Sequence, residues 1–262
     1  MDITVNGKAA FAATGGRPFE VDRPTIVFIH GGGLDHSVWA LQTRYFAYHG
    51  RNVLALDLPG HGRTAGPALT SIAALADWLM ALLDALAIEQ AALVGHSMGS
   101  LVAYDAAARN RGRVTALALL GTSIPMPVAG RLLDAAKADD NAAFDMVTLW
   151  GHSRDGQTGA NRAPGLWMTG AAVSLLERSG PGVLHACLKA ADDYRDGLEL
   201  AGNIDCPTLL VLAAHDAMTP AGAATPLTEA IANARSITLP GCGHMMMAEQ
   251  PDAVLDALIS IL

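Results

Sequence analysis

The chain has 262 residues, of which 51% are hydrophobic and 16% are charged, and its formal net charge is -8. This composition excludes an intrinsically disordered protein, because disordered chains have too little apolar surface to offset the entropy lost on ordering. The length excludes a small disulfide-stabilised scaffold, since a chain of this size buries a large core without help. The excess of acidic residues argues against nucleic acid as a partner, because nucleic-acid binding needs a basic surface.

Two further patterns concern membranes and cysteine chemistry. No stretch reaches the ~18 apolar residues that a membrane-spanning helix needs, and the start of the chain lacks a basic cluster followed by an apolar run. The three cysteines, Cys187, Cys206 and Cys242, are widely spaced and form no Cys-x-x-Cys pair, so we expect buried free thiols. We expect a cytoplasmic protein with no membrane partner and no metal or organic cofactor. The sequence leaves the oligomeric state open.

The predicted elements alternate between short apolar strands and helices. Residues 1–14 predict a hairpin around Asn6-Gly7, a dipeptide typical of tight turns. Six nearly continuous apolar runs predict strands that are buried on both faces. These runs are Thr25–Ile29, Val53–Leu56, Ala92–Val94, Thr115–Leu120, Thr208–Leu212 and Ser236–Leu239. The accompanying helical patterns are His36–Tyr48, Ser71–Ala87, Ser97–Arg109 and Pro251–Leu262.

This alternation predicts an α/β fold, with a mostly parallel, doubly wound sheet of about eight strands and helices on both faces. The pattern breaks once, because no convincing strand appears between Leu120 and Thr208. Residues 122–203 contain short helical patterns and are too apolar for a solvated linker. We therefore expect a core domain made of residues 1–121 and 204–262, with a helical insertion over residues 122–203.

The strongest functional signal is Gly95-His96-Ser97-Met98-Gly99, which lies directly after a predicted strand and before a helix. This is the G-x-S-x-G pattern in the strand–turn–helix context that it requires. A serine on such a sharp turn has a strained backbone, and the flanking glycines are needed because a Cβ atom there would collide with neighbouring backbone. The pattern predicts a nucleophilic serine. The alternative is a small-residue turn that only lets the helix pack on the strand.

A second glycine-rich segment, His30-Gly31-Gly32-Gly33, follows the first of the six apolar runs. Glycines here let backbone N–H groups face a cavity, and the N–H groups of Gly32 and Met98 are the best pair for an oxyanion hole. An ordinary glycine-rich turn is the alternative. A dinucleotide site is a weaker alternative, because the third, spaced glycine is missing.

A nucleophilic serine needs a base, and the base needs an acid that orients it. Of nine histidines, His244 is the best candidate, because it follows the last predicted strand, where ligands bind in open parallel sheets. Asp216 is the best candidate for the acid, since it also follows a strand, whereas no acidic residue directly follows the strand that ends at Leu120. A structural histidine and a turn-forming aspartate are the alternatives.

The chain order Ser97, Asp216, His244 resembles that of the α/β-hydrolase fold superfamily, in the branch with a helical cap between the sixth and seventh strands. Further matching segments are Trp39, Asp57-Leu58-Pro59-Gly60-His61-Gly62, Pro220 and Glu249-Gln250-Pro251. The serine resembles esterases, lactonases and cofactor-free haloperoxidases, whereas dehalogenases and epoxide hydrolases of this fold carry an aspartate nucleophile. The resemblance implies a serine esterase that acts through an acyl-enzyme intermediate on a small-molecule ester or lactone.

The resemblance also implies that the insertion covers the site as a cap. The predicted substrate-binding residues are Gly33, Leu34, Met126, Met146, Trp150, Trp167 and Met245. Large apolar cap residues favour small to medium apolar substrates, although the same side chains could simply pack the cap on the core. Hydrolysis of lactones or enol-lactones and perhydrolysis use the same triad and are alternatives. A small-molecule receptor on a hydrolase fold is an alternative of another class.

Overall fold

The sheet at the centre of the molecule has the predicted α/β architecture, in a computed structural model that describes residues 1–160, 162 and 165–262. In chain order its strands are β1 Asp2–Val5, β2 Lys8–Ala13, β3 Thr25–Ile29, β4 Asn52–Leu56, β5 Ala91–His96, β6 Val114–Leu120, β7 Thr208–Ala213 and β8 Ala234–Leu239. Their order across the sheet is β1-β2-β4-β3-β5-β6-β7-β8. The six strands from β3 to β8 pair in parallel, whereas β1 with β2 and β2 with β4 pair in antiparallel fashion. The predicted fold class, with about eight mostly parallel strands, is confirmed.

Helices connect the strands and cover both faces of the sheet. In chain order they are α1 Ala40–Tyr48, α2 Ile72–Ala85, α3 Met98–Arg109, α4 Gly130–Lys137, α5 Ala142–Gly151, α6 Arg154–Gln157, α7 Met168–Arg178, α8 Val183–Asp193, α9 Thr225–Ala230, α10 Met246–Glu249 and α11 Pro251–Ile259. Short 3-10 helices span His36–Trp39, Gly197–Asn203 and Ala221–Ala224. Across the described part of the chain, none of the helices combines the length and the apolar character that crossing a membrane requires.

Alternate residues of the central strands pack on opposite faces of the sheet, as strand geometry requires. In β3, Val27 and Ile29 belong to a core cluster that includes residues of α2 and α3. Ile26 and Phe28 belong to a second cluster, which includes residues of α1 and α11. Because both faces are covered, these strands are apolar throughout, and the sequence shows continuous apolar runs in place of alternation.

The helices α4 to α8 and one 3-10 helix lie between β6 and β7, within residues 122–203, which we call the inserted segment. Residues 161, 163 and 164 of this range lie outside the described residues. The inserted segment packs on the core through a small apolar cluster. The buried leucines of that cluster are Leu34, Leu132, Leu176, Leu184 and Leu188. The insertion follows the sixth strand, as expected, while its separation as a cap domain stays a prediction.

The helices differ from the predicted ones mainly where they are short. Helices α6, α9 and α10 were not predicted, and they span only four, six and four residues. Such lengths are too short for apolar periodicity to show. The hairpin is confirmed, because β1 and β2 pair around Asn6 and Gly7, which both have positive φ angles as this type of turn requires.

Candidate active site

Ser97 lies on the turn between β5 and α3, and its backbone is strained as the sequence predicts. Its φ is 52° and its ψ is -124°, a combination that residues with a side chain rarely adopt. A Cβ atom on Gly95 would lie 2.2 Å from the carbonyl oxygen of Gly99, and one on Gly99 would lie 2.4 Å from that of His30. The two glycines are therefore required by the close approach of backbone on both sides of the serine.

Asp216 and His244 are hydrogen-bonded beyond the carboxyl ends of β7 and β8. Nδ1 of His244 lies 2.7 Å from Oδ2 of Asp216. This contact assigns the proton to Nδ1 and leaves Nε2 as the acceptor. Burial by itself raises the pKa of Asp216, but the charge and hydrogen bond of His244 and the bonds from Thr219 outweigh it and hold the pKa below its ordinary value. Asp216 is therefore ionised at neutral pH and can stabilise an imidazolium.

Thr219 supports this pair, and the sequence analysis did not single it out. Its N–H donates to Oδ1 of Asp216 at 2.7 Å, beside the N–H of Met218 at 2.9 Å. Its hydroxyl donates to Oδ2 of Asp216 at 2.8 Å and lies 3.1 Å from Nδ1 of His244. The signal in the sequence was the position of a threonine three residues after an aspartate in a loop, where side-chain and backbone groups commonly bond to each other.

Ser97 and His244 line the same cavity, whose volume is about 400 Å³. Nε2 of His244 is buried and makes no hydrogen bond with a described residue, so the bond from the Ser97 hydroxyl that completes the predicted series is not formed. Hydrogen bonds between catalytic groups are often loose before a substrate binds. The fold thus brings the three predicted residues to one edge of the sheet and joins two of them directly.

His96 holds the loop that carries His244. Its Nε2 donates to the carbonyl oxygen of His244 at 3.0 Å, and the two ring centroids are 4.6 Å apart. Burial, with a smaller contribution from His244, lowers the pKa of His96 to about 3, so this ring is neutral at physiological pH. His96 thus fixes the backbone of the His244 loop by a hydrogen bond.

The predicted oxyanion hole lies beside Ser97, where Gly31, Gly32 and Met98 line the cavity. Met98 is the first residue of α3, and the first N–H groups of a helix have no acceptor within that helix. A Cβ atom on Gly32 would lie 2.8 Å from Cβ of Cys187, which belongs to α8. The inserted segment therefore packs directly against the glycine-rich segment.

Cys187 connects the glycine-rich segment to His61. Its sulfur lies 3.2 Å from Nε2 of His61, and its Cβ atom packs closely against Gly32. Because Nδ1 of His61 bonds to the carbonyl oxygen of Pro59 at 3.1 Å, the thiol is the donor to Nε2. Burial raises the pKa of Cys187 to about 12, so the thiol is neutral. The expectation of buried free thiols is confirmed for all three cysteines.

Glu249 connects the His244 loop to the inserted segment, and it too was not singled out as a site residue. Its Oε1 accepts a hydrogen bond from the N–H of Gly243 at 2.9 Å. The same carboxylate accepts bonds from the N–H of Ser153, at 3.2 Å, and from the hydroxyl of Ser153. The N–H of Met245 donates at 2.8 Å to the carbonyl oxygen of the last residue of α5. Both neighbours of His244 are thus tied to the inserted segment.

Four of the predicted substrate-binding residues line the cavity, which lies between the core and the inserted segment. They are Leu34, Met126, Trp150 and Met245. Met146 is not among the lining residues. Val147 and Trp150, which do line the cavity, are three residues apart and share one face of α5. Met146 lies about 100° around the helix from Val147 and packs in the apolar cluster of the inserted segment.

Gly33 and Trp167 also lie away from the cavity lining. A Cβ atom on Gly33 would lie 2.9 Å from Leu176 and 3.0 Å from Leu184, so this glycine packs against α7 and α8. Trp167 is 77% exposed at the start of α7 and borders a separate surface depression. Aromatic character alone predicted Trp167, and the path of the chain into α7 places the ring in solvent.

Asp35, His36 and Asp57 are the one group of described residues whose donor atoms lie close enough together to hold a metal ion. The carboxylate of Asp57 already accepts three hydrogen bonds within the protein. It accepts hydrogen bonds from the N–H of His36 at 2.9 Å, from Nδ1 of His36 at 2.7 Å and from the N–H of Arg63 at 2.8 Å. These bonds give Asp57 a structural role in the turn that follows β4.

Comparison with known proteins agrees with the fold. The model of the alpha/beta hydrolase family matches residues 26–257. The chain is 32% identical over 250 residues to a pimeloyl-(acyl-carrier protein) methyl ester esterase of Aromatoleum aromaticum, across 88% of this chain and 95% of that protein. The enol-lactonase of Burkholderia xenovorans has a TM-score of 0.88 at 25% identity, covering 100% of this chain and 99% of that one. A thermophilic esterase from Thermogutta terrifontis, at 22% identity, shares the fold with a TM-score of 0.84 over 99% and 96% of the two chains.

The chain therefore belongs to the alpha/beta hydrolase family, and the resemblance drawn from its motifs is confirmed. The relatives are named esterases and lactonases, which supports the predicted class of carboxylic-ester hydrolase.

Proposed function

We propose that the protein hydrolyses carboxylic esters, with Ser97 as nucleophile, His244 as general base and Asp216 as the acid that orients His244. One observation carries the proposal. His244 is bonded through Nδ1 to Asp216 at 2.7 Å, and its buried, unpartnered Nε2 belongs to the same cavity as the strained Ser97. A buried nitrogen without a partner costs free energy, so its retention beside a serine is understandable if it accepts a proton during catalysis.

In the first half of the reaction, Oγ of Ser97 attacks the ester carbonyl while Nε2 of His244 takes the hydroxyl proton. The carbonyl oxygen becomes an oxyanion, which the N–H groups of Gly32 and Met98 stabilise. One such donor contributes about 3–4 kcal/mol to transition-state stabilisation. The tetrahedral intermediate then collapses, the carbon–oxygen bond to the alcohol breaks, and His244 gives its proton to the leaving alcohol.

In the second half, a water molecule attacks the acyl-enzyme and His244 takes its proton. The bond between the acyl carbon and Oγ breaks, Ser97 recovers its proton from His244, and the acid leaves. Asp216 stays ionised throughout, in keeping with its lowered pKa, and stabilises the imidazolium in both halves. The residues of this chain carry every proton transfer.

The cavity supports a preference for small to medium apolar substrates. Its volume of about 400 Å³ lies in the lower part of the range for ligand sites, and most of its wall is aliphatic or aromatic. Leu34, Met126 and Trp150 from this wall face the substrate space in the proposed complex. Methionine adapts to irregular ligands, so the cavity accommodates more than one acyl shape.

Hydrolysis of a lactone is the second candidate, because it breaks the same bond type with the same residues. The likeness to an enol-lactonase over the whole chain favours this reading. The ratio of kcat/KM for a five-membered or six-membered lactone to that for the matching linear ester decides between them.

The test of the proposed function is replacement of the nucleophile. We expect Ser97→Ala to reduce hydrolysis of a short p-nitrophenyl ester by at least about a thousandfold, with little change in the melting temperature. Ser236→Ala, at an exposed position on β8, is the matched control and should keep full activity. Turnover by the Ser97→Ala variant at the rate of the control would refute the assignment.

A second measurement separates an enzyme from a receptor with an inactive triad. An organophosphonate should label wild-type protein at Ser97 stoichiometrically, as read by mass spectrometry, and should fail to label Ser97→Ala. A receptor would label slowly and would show no ester turnover. Labelling at another residue would contradict the proposed nucleophile.

A further inference from the structure

Arg131 is the only permanently charged side chain among the described residues that line the cavity. The other polar side chains of the lining are a serine, a threonine and three histidines, and no lining residue is acidic. Ser97, Thr219, His96 and His244 already have roles in the proposed chemistry. The charge of Arg131 has none, and catalysis of ester hydrolysis as such does not need it.

Trp150 holds the guanidinium of Arg131. The central carbon of the guanidinium lies 4.4 Å from the centroid of the Trp150 ring, and both residues belong to the cavity lining. This is a cation–π contact, which uses the face of the guanidinium and leaves the N–H groups at its edge available. The arginine is therefore positioned by an aromatic wall of the cavity, with its donors unused.

Arg131 forms no ion pair and no hydrogen bond with any described residue of the chain. Two other arginines of the inserted segment have acidic partners, whereas the exposed Arg154 forms no ion pair with a described residue. Arg178 lies 3.5 Å from Asp35, and Arg195 lies 3.1 Å from Asp192. Arg131 therefore differs from Arg154 in its place, because it lines the cavity and stacks on Trp150.

We propose that the cavity takes an ester or lactone that carries a carboxylate away from the reacting carbonyl, and that Arg131 binds this carboxylate. The inference rests on the proposed function, because it assigns the reacting carbonyl to Ser97. A planar guanidinium binds a carboxylate through two parallel N–H···O bonds. Arg131 is an exposed residue, so the preference for a carboxylate comes from the paired geometry of these bonds and from the stacking of the guanidinium on Trp150.

The geometry favours a carboxylate over a phosphate group. One guanidinium offers two parallel donors, which match the two oxygens of a carboxylate. A phosphate carries more charge and more acceptor oxygens, and the lining contains no second cation to meet them. The substrate class is therefore a half-ester of a dicarboxylic acid, or a lactone with a carboxylate substituent, which narrows the apolar substrates of the proposed function to those with one terminal carboxylate.

The experiment compares half-esters with neutral diesters of the same acids. Monomethyl and dimethyl esters of the dicarboxylic acids from succinate to suberate are hydrolysed by wild type, Arg131→Gln and Arg131→Lys. For the best half-ester, we expect Arg131→Gln to raise KM about tenfold with little change in kcat. For the dimethyl ester of the same acid, KM should change less than about twofold, and Arg131→Lys should recover part of the half-ester affinity.

The matched control is Arg154→Gln, because Arg154 is an exposed arginine of the inserted segment that does not line the cavity. It should leave both substrates unchanged. The proposal is overturned if Arg131→Gln has the same effect on half-ester and diester, or if it affects neither. An equal effect of Arg154→Gln on the half-ester would also overturn it, since a general surface charge would then explain the preference.

A binding measurement separates this inference from the proposed function. Calorimetric titration of Ser97→Ala protein with the monomethyl ester of adipate needs no turnover. We expect the additional Arg131→Gln change to weaken binding about tenfold, while binding of the dimethyl ester stays the same. Equal affinity for the monomethyl ester with and without the Arg131→Gln change would contradict the carboxylate site, even if ester hydrolysis is established. Loss of affinity would support the site even if wild type hydrolyses no ester.

Discussion

The carboxylate of Glu249 accepts a 2.9 Å hydrogen bond from the N–H of Gly243, the residue directly before His244. The other contacts of this carboxylate reach Ser153 in the inserted segment. A single buried acid therefore fixes the entry to the His244 loop and attaches this loop to the inserted segment. The geometry of the proposed base depends on this attachment as well as on Asp216.

Replacement of Glu249 tests this dependence. Glu249→Ala leaves the N–H of Gly243 and two donors of Ser153 buried without acceptors, and each such group costs about 1–3 kcal/mol. We expect the free energy of unfolding to fall by about 3 kcal/mol in urea titration, and kcat to fall with it at temperatures where the variant is folded. Glu229→Ala, at an exposed site on α9, is the control and should change neither quantity.

Thr219 offers a test that leaves the triad itself intact. Thr219→Val keeps the shape of the side chain but removes the hydroxyl that donates to Oδ2 of Asp216 at 2.8 Å. We expect kcat to fall about tenfold with KM nearly unchanged, because one hydrogen bond to a charged group is lost and the imidazole is less firmly oriented. Thr238→Val on β8 is the matched control. An unchanged kcat in Thr219→Val would show that the hydroxyl has no positioning role.

The lowered pKa of Asp216 predicts how the free energy of unfolding depends on pH. In the folded protein this pKa lies below the ordinary value of 3.8, so the ionised carboxylate stabilises the fold above about pH 4. That contribution is lost as the pH falls through the folded-state pKa. Urea unfolding between about pH 5 and pH 3 should therefore show a smaller loss of stability in Asp216→Asn than in wild type. Equal slopes in the two proteins would contradict the lowered pKa.

The raised pKa of Cys187 predicts a protected thiol. Its value of about 12 in the folded protein exceeds the ordinary value of 9.0, so the neutral thiol stabilises the fold below about pH 9. This contribution is lost as the pH rises from about 9 toward 12. We expect no reaction of Cys187 with a thiol reagent at pH 8 in the native state and rapid reaction in urea, as read by peptide mapping. Rapid native labelling would show that α8 opens readily.

The family and the alternation of strands and helices along the chain were accessible from the sequence because they depend on local patterns. Continuous apolar runs such as Thr25–Ile29 identify strands buried on both faces, and that strand has the predicted bounds. The pattern around Ser97 predicts a sharp turn in which only glycine fits at two positions. The structure has close backbone contacts at both of these positions. Helix ends and helices of four to six residues were missed, since so few residues carry no periodic signal.

The substrate-binding residues of the inserted segment were harder to predict, because only some of its apolar residues line the cavity. Met126 and Trp150 line the cavity, whereas Met146 is not part of its lining and Trp167 is exposed. All four residues are large and apolar, so hydrophobicity alone does not distinguish a residue that lines the cavity from one that does not. Which of them reaches the cavity depends on the rotation of each helix about its axis, and contacts between distant parts of the chain set that rotation.

The sequence by itself determined the fold class, the nucleophile candidate and the two most suitable partners, because strand patterns, glycine sterics and positions after strands are properties of short segments. Only the tertiary structure decided that Thr219 and Glu249 support the proposed base, that Cys187 contacts the glycine-rich segment, and that Arg131 reaches the cavity with its charge unpaired. Such contacts join residues far apart in the chain, and spacing along a sequence does not encode their distance in space.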